Sequence, residues 1–362
     1  MAIETDRPLS AKSGSRVGRA QVESVRVEEI GLPGEGSRVS LDSPDSSSER
    51  VAFADRLILR VRELGHPLCV GLDPHLASIP PLFARGSMVS GDDRTVDAVE
   101  AFLAAVIDRV AGQVAILKPQ IAFFEQLGWR GLRALERLVE RARAAGLLVL
   151  LDAKRGDIGS TAEGYAAAYL GAEAAMPVDA LTVNPYLGFD TLEPFVKSAQ
   201  ENGRGLFVLV KTSNSGSGDL QDREFEGEPL FFRVAQGLAR SEATLIGGKT
   251  GWSSLGVVCG ATWPDQARRV REALPRSLFL VPGYGAQGGS ALAAVASFVK
   301  GPSGLEGGIV NSSRAILFPE ASRQATDARA WESALDGALD RAIDELGNAV
   351  QGAAGRRAPP AK

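Results

Sequence analysis

Asp152-Ala-Lys154-Arg-Gly-Asp157 sets two carboxylates around an ammonium at the end of the apolar run Leu147-Leu-Val-Leu-Leu151. Carboxylates crowded around an ammonium favour its charged form, an arrangement more typical of a functional site than of packing. The run reads as a buried parallel strand. Alternation along a strand places Asp152 and Lys154 on one face, so both can point into one site. Asp157 falls in the loop beyond, before a helix that Ser160-Thr-Ala-Glu163 announces as a capping box. Charges just past a buried strand seldom serve packing; the alternative is an ion pair that only fixes the loop.

A second constellation suits an anion. Val281-Pro-Gly-Tyr-Gly-Ala-Gln-Gly-Gly289 follows another apolar run and precedes a helix expected over 291–298. Glycines there let backbone N–H groups approach an anion, with the helix N-terminus adding its positive end. Asn311-Ser-Ser-Arg314 closes the last apolar run with a guanidinium suited to phosphate. Two nucleotide motifs fail on inspection. Gly283, Gly285 and Gly288 spell G-x-G-x-x-G, but late in the chain and with no acid ending a second strand roughly 20 residues on, since Glu306 lies in a glycine-rich loop. Gly248-Lys249-Thr250 resembles the end of a P-loop, but the first glycine would have to stand where Ala243 does.

The elements that must position these groups repeat eight times: a short apolar run, a polar loop, an amphipathic segment. Strands are expected at 68–73, 114–118, 147–154, 180–184, 205–211, 255–259, 278–281 and 308–311. Between them, Val96, Val99, Leu103, Val106 and Val110 recur at helical spacing, as do Leu132, Leu135, Val139 and Ala142, with Gly146 as a stop. Continuous apolar strands alternating with helices imply a parallel sheet covered on both sides, and eight units match a (β/α)8 TIM barrel in a single α/β domain over 51–350. An open doubly wound sheet is the rival. Polar residues end nearly every strand (Asp73, Lys118, Asp152 with Lys154, Asn184, Lys211 with Ser213, Gln287, Arg314), and only a barrel gathers them at one mouth.

Composition narrows the classes. The 362 residues are 44% apolar and 23% charged, with net charge −4, which suits a globular enzyme and gives no reason to expect nucleic acid or an anionic membrane as partner. Two histidines leave little for a histidine metal site. Cys69 and Cys259 sit in apolar runs, as buried free thiols suited to a reducing cytoplasm. No apolar stretch approaches the roughly 18 residues of a membrane span. Residues 1–50, rich in Ser, Gly, Arg and Glu, are expected to form a disordered extension, and 351–362 a disordered tail.

With these residues in view, the chain resembles the orotidine 5′-phosphate decarboxylases, and Asp152-Ala-Lys-Arg-Gly-Asp-Ile-Gly-Ser-Thr161 resembles the signature of their type 2, bacterial group. Supporting motifs are Val70-Gly-Leu-Asp-Pro-His75, Leu117-Lys-Pro-Gln120, Thr182-Val-Asn-Pro-Tyr186, Lys211-Thr-Ser-Asn214 and Pro282-Gly-Tyr-Gly-Ala-Gln287; the likeness runs from about residue 53 to 318. The resemblance implies decarboxylation of orotidine 5′-phosphate to UMP and CO2, the last step of de novo UMP synthesis, without metal or cofactor, in the cytoplasm. It implies Lys154 as proton donor to C6, Asp152 beside the leaving CO2, and Lys118 bridging that acid and the ribose. Asp157 and Thr161 would enter the neighbouring subunit's site in a homodimer with shared active sites. Asp73 would bind a ribose hydroxyl and Ser213 the pyrimidine, with Asn184 also near substrate. Gln287 and Arg314 would grip the phosphate, assisted by the backbone at Ser313. The alternatives are a Mg2+-dependent phosphosugar aldolase or decarboxylase of the same superfamily, a Schiff-base aldolase using Lys154, and a non-catalytic nucleotide-sensing barrel.

Overall fold

The computed structural model describes residues 51–285, 288–323 and 325–352, all within the compact unit Glu49–Lys362. The extension expected at 1–50, the tail from 353 onward and Gln287 lie outside the described residues.

Eight parallel strands close on themselves: β1 (Leu68–Leu72), β2 (Ile116–Pro119), β3 (Leu148–Arg155), β4 (Ala180–Val183), β5 (Gly205–Lys211), β6 (Ser253–Cys259), β7 (Ser277–Val281) and β8 (Gly308–Ser312). Each pairs with its neighbour in sequence, and β8 returns to β1 through Leu68↔Val310 and Val70↔Ser312. The longer helices are α1 (Phe53–Leu64), α2 (Asp93–Val110), α3 (Gly128–Ala144), α4 (Gly159–Leu170), α5 (Glu193–Asn202), α6 (Leu230–Gly237), α7 (Pro264–Ala273) and α8 (Ala328–Gln351). This is the expected (β/α)8 barrel.

Both strand faces are buried, each in its own cluster. Cys69, Ile116, Leu150, Ala180, Phe207, Leu280 and Ile309 pack with Phe53, Leu57 and Ile58 of α1. Their alternates, including Val70, Leu117, Val149, Leu181, Val208 and Val310, pack beneath the outer helices. Helix α1 closes the N-terminal end of the barrel, with Phe53 edge-on to Phe207 at 6.1 Å between ring centroids. Glycine is required at Gly205, where a Cβ would lie 2.2 Å from the Phe53 ring. A fully buried phenylalanine contributes about 2–3 kcal/mol. With that end plugged, the strands' C-terminal ends form the open mouth.

Several local expectations change. The apolar face of α2 is buried as expected. On α3, Leu135, Val139 and Ala142 are buried as expected, but Leu132 is exposed and Gly131, Ala134 and Leu138 complete the inward face. Gly131 sits against the carbonyl of Phe124, where a Cβ would come within 2.1 Å, and this close approach rotates Leu132 outward. Gly146 takes φ 77° after α3, the left-handed stop its position suggested. Helix α4 begins at Gly159 with no side-chain cap, so the Ser160–Glu163 capping box does not form. Ser160 already lies inside the helix, and Asp157 Oδ1 accepts from Ile158 N instead. In the seventh unit the expected helix shrinks to Ala291–Ala294, followed by an antiparallel hairpin of Val299–Gly301 with Gly304–Glu306. Helix α8 runs to Gln351, one residue into the expected tail. Cys69 and Cys259 are free and buried, and burial pushes both thiols up to about 12. No helix among the described residues is long and apolar enough to cross a membrane.

Candidate active site

At the barrel mouth β3 leaves its regular register against β4. Leu151 pairs with Leu181 and Arg155 with Val183, so residues 152–154 bulge opposite the single residue Thr182. Lys154 takes φ 49° there, a left-handed conformation that a lysine adopts only where its surroundings enforce it. The bulge carries Lys154 toward the opening while Asp152 stays inside. The lysine side chain is 45% exposed and that of Asp152 only 11%.

Asp152 is the hub. Its Oδ1 accepts from Lys154 Nζ at 2.6 Å and from Thr182 Oγ1 at 3.0 Å, and its Oδ2 accepts from Lys118 Nζ at 2.9 Å. Burial pushes the Asp152 carboxyl up, but the Lys118 and Lys154 charges win and hold it well below the usual carboxylate range. Burial likewise works against the Lys118 ammonium, and Asp152 and then Asp73 more than offset it, holding that lysine above its ordinary range. Asp152 and Lys118 therefore stay charged, and the Lys–Asp–Lys array sets one lysine deep and the other at the opening.

Among the described residues, Asp73, Asn184, Ser213, Ser313 and Arg314 follow the C-terminal ends of their strands at the same rim. Asp73 follows β1, and its Oδ1 is buried with no hydrogen-bond partner among the described residues. Such an atom costs about 1–3 kcal/mol unless a ligand satisfies it. Ser213 follows β5 and presses on Gly260, where a Cβ would lie 2.8 Å from the Ser213 backbone. Ser313 follows β8; its Oγ accepts from Asn311 Nδ2 at 3.2 Å and occupies the space a side chain at residue 71 would need, which explains Gly71. Arg314 begins the short helix Arg314–Leu317, is exposed, and its guanidinium makes no ion pair or hydrogen bond among the described residues. Asn184 Oδ1 is engaged by Tyr186 N at 3.0 Å, closing the turn after β4. Asp157 makes no ion pair with Lys154 of its own chain, and Thr161 is exposed on α4. The fold does not bring these two to the array.

Some contributors carry no signal in the sequence beyond the motifs around them. Thr182 is one; its hydroxyl has a defined role in the bulge. Tyr284 is another, donating to Glu345 Oε2 of α8 at 2.6 Å and so tethering the glycine-rich loop after β7. Burial and then this hydrogen bond push the Tyr284 phenol up. The proposed contribution of a helix N-terminus after that loop falls away. The helix is a single turn, and the Ser290 side chain already accepts from Ala293 N. Among the described residues, backbone N–H groups and Arg314 are what this part of the rim offers an anion. The P-loop-like Gly248-Lys249-Thr250 is a structural turn: the buried Asp55 carboxylate accepts from both Lys249 N and Thr250 N.

Comparison with known proteins agrees with this geometry. The family model described as Orotidine 5′-phosphate decarboxylase / HUMPS family matches residues 66–328. The orotidine 5′-phosphate decarboxylase of Rhodopirellula baltica is 41% identical over 303 residues, covering 82% of this chain and 99% of that protein. Its counterpart from Deinococcus radiodurans is 41% identical over 292 residues, covering 79% of this chain and 98% of its own. A solved structure from Streptomyces avermitilis, provisionally described as such an enzyme, superposes with TM-score 0.67 at 37% identity, covering 83% of this chain and 97% of that one. A barrel with a Lys–Asp–Lys array at its mouth, matched this far along its length, belongs to the orotidine 5′-phosphate decarboxylase / HUMPS family.

Proposed function

We propose that this chain decarboxylates orotidine 5′-phosphate to UMP and CO2, the last step of de novo UMP synthesis, with Lys154 as proton donor to C6. The observation that carries the reading is the Lys118–Asp152–Lys154 array at the mouth of a barrel of this family. When the C6–carboxylate bond breaks, its electron pair stays on C6 in an orbital that the ring does not delocalise. The Lys154 ammonium faces that charge before it forms and then gives C6 a proton, and the amine regains one from solvent. A positive charge fixed in advance costs no reorganisation at the moment of reaction. Asp152 aims Lys154 and lies beside the leaving carboxylate. Lys118 neutralises Asp152 and has donors left for a ribose hydroxyl, and the unpartnered Asp73 Oδ1 suits a second hydroxyl. Ser213 falls to the pyrimidine side, and Asn184 is a further residue near the substrate. The Gln287 side chain, the Ser313 backbone and Arg314 fall to the phosphate.

The test is the loss of absorbance from orotidine 5′-phosphate with purified protein in EDTA. Turnover is expected to continue undiminished after exhaustive chelation. Activity lost with chelator and regained with Mg2+ would favour the phosphosugar-type alternative. Binding of UMP without any turnover would favour a sensing barrel. Asp152 already has an ammonium on each oxygen, so a divalent cation would have to displace one of them.

A homodimer with shared active sites is part of the same reading, in a cytoplasm that keeps Cys69 and Cys259 reduced. Support comes from where Asp157 and Thr161 sit, off their own chain's array. It comes also from the exposed apolar side chains of Ile158, Tyr186, Leu187 and Phe189 on the adjoining loops. Mixing Lys154→Ala with Asp157→Ala subunits, each nearly inactive alone, is expected to restore up to about a quarter of wild-type activity, since a mixed dimer has one intact site. No recovery after verified subunit exchange would refute the sharing.

A further inference from the structure

We propose that Thr182 is a positioning residue for the reaction: its hydroxyl holds the β3 bulge that presents Lys154, and fixes the Asp152 carboxylate to the same point. This rests on the reading of Lys154 as the acid, and it adds a residue that the reading does not use.

Three residues of β3 face one residue of β4, so the amides of Ala153 and Lys154 have lost the ladder carbonyls that a regular strand would offer. Buried amides must find another acceptor. Both find Thr182 Oγ1, each at 2.9 Å. A hydroxyl oxygen has two acceptor sites and one proton, so both sites are now filled and the proton has one remaining direction. That direction is Asp152 Oδ1, at 3.0 Å, the same oxygen that receives Lys154 Nζ at 2.6 Å. Thr182 is completely buried, so no bulk water competes for any of these bonds.

One hydroxyl thereby ties together the backbone of the proton donor, its strained φ, and the carboxylate that aims it. Valine has the same shape as threonine but offers neither acceptor nor donor. It would leave two amides unsatisfied and release Asp152 to rotate. Serine keeps the hydroxyl and loses only a methyl group.

The experiment compares T182V and T182S with wild type for kcat and KM on orotidine 5′-phosphate, with thermal melting to verify the fold. T182V is expected to lower kcat by about 10²-fold, the scale of an ångström-sized misplacement of a reacting group. Its KM is expected to stay within about threefold, because the phosphate and ribose contacts are untouched. T182S is expected to stay within about threefold of wild type in both constants, since its three hydrogen bonds survive. A folded T182V with wild-type kcat overturns the proposal. So does a T182S that loses as much as T182V, which would assign the effect to the methyl group. If valine prevents folding, T182A replaces it, and undiminished turnover in T182A overturns the proposal equally. Failure here differs from failure of the underlying reading. A fully active Lys154→Ala would remove the acid itself, whereas a dead Lys154→Ala beside an unaffected T182V would remove only the positioning role.

Discussion

Lys154→Ala is expected to lower kcat by at least about 10⁴-fold and to leave the fold intact. Two losses combine. Removing a positioned general acid costs about 10²–10⁴-fold. In the proposed role the ammonium would also stabilise the developing charge: at about 4 Å a unit pair is worth about 4 kcal/mol at an effective dielectric of 20, against about 1 in water. That difference of about 3 kcal/mol is a further factor of about 10². The fold is expected to survive because the Lys154 side chain is about half exposed and Lys118 still neutralises Asp152 from within. Retention of more than about a tenth of wild-type kcat would rule out the proton-donor role, since a positioned general acid typically contributes about 10²-fold or more. Circular dichroism and melting of the variant verify that lost turnover is not lost structure.

The same array fixes a pH window. Asp152 is held below the usual carboxylate range, so its stabilising contribution is present above that range and is lost as pH falls through the depressed value. Lys118 is held above the usual lysine range, so its contribution is present at neutral pH and is lost only as pH rises through the raised value. The Lys118–Asp152 pair therefore keeps both charges across neutral pH.

The barrel was legible because its signals are redundant. Strand spacing, glycine stops and polar strand ends all point to one architecture, and register errors at single positions do not change it. Lys154 illustrates both the reach and the limit of such reasoning. Alternation assigns it correctly to the face of Asp152, but the chain gets it there by a bulge and a positive φ, which no period-2 rule contains. Thr182 was legible only as part of a motif, because its role depends on what lies across the sheet, 28 residues from Lys154 in sequence. Leu132 failed for a related reason: the tight seat of Gly131 on Phe124 outweighs one apolar side chain in setting the rotation of α3. The Ser160–Glu163 box and the helix over 291–298 were local signals, and neither survives the way the chain enters and leaves those turns.

Arg314→Ala is expected to raise KM for orotidine 5′-phosphate by about 10–150-fold, the value of one charge-assisted hydrogen bond of about 1.5–3 kcal/mol. Its position is what makes the effect specific. The guanidinium stands at the end of β8, exposed and without an internal partner, so its removal leaves no buried charge behind and unbalances nothing in the Lys118–Asp152–Lys154 array. A bidentate donor at the rim, after the strand next to the one that carries the glycine-rich loop, has a phosphate as its natural counterpart. Binding energy collected there is remote from C6, and an enzyme can use remote binding to hold the ring against its acid. A substrate without phosphate cannot draw on it. Orotidine, assayed as kcat/KM beside the phosphorylated substrate, is therefore expected to lose less than about threefold on the same substitution. Equal losses for the two substrates would refute the phosphate assignment of Arg314, because a guanidinium that touches only the phosphate has nothing to lose when the phosphate is absent.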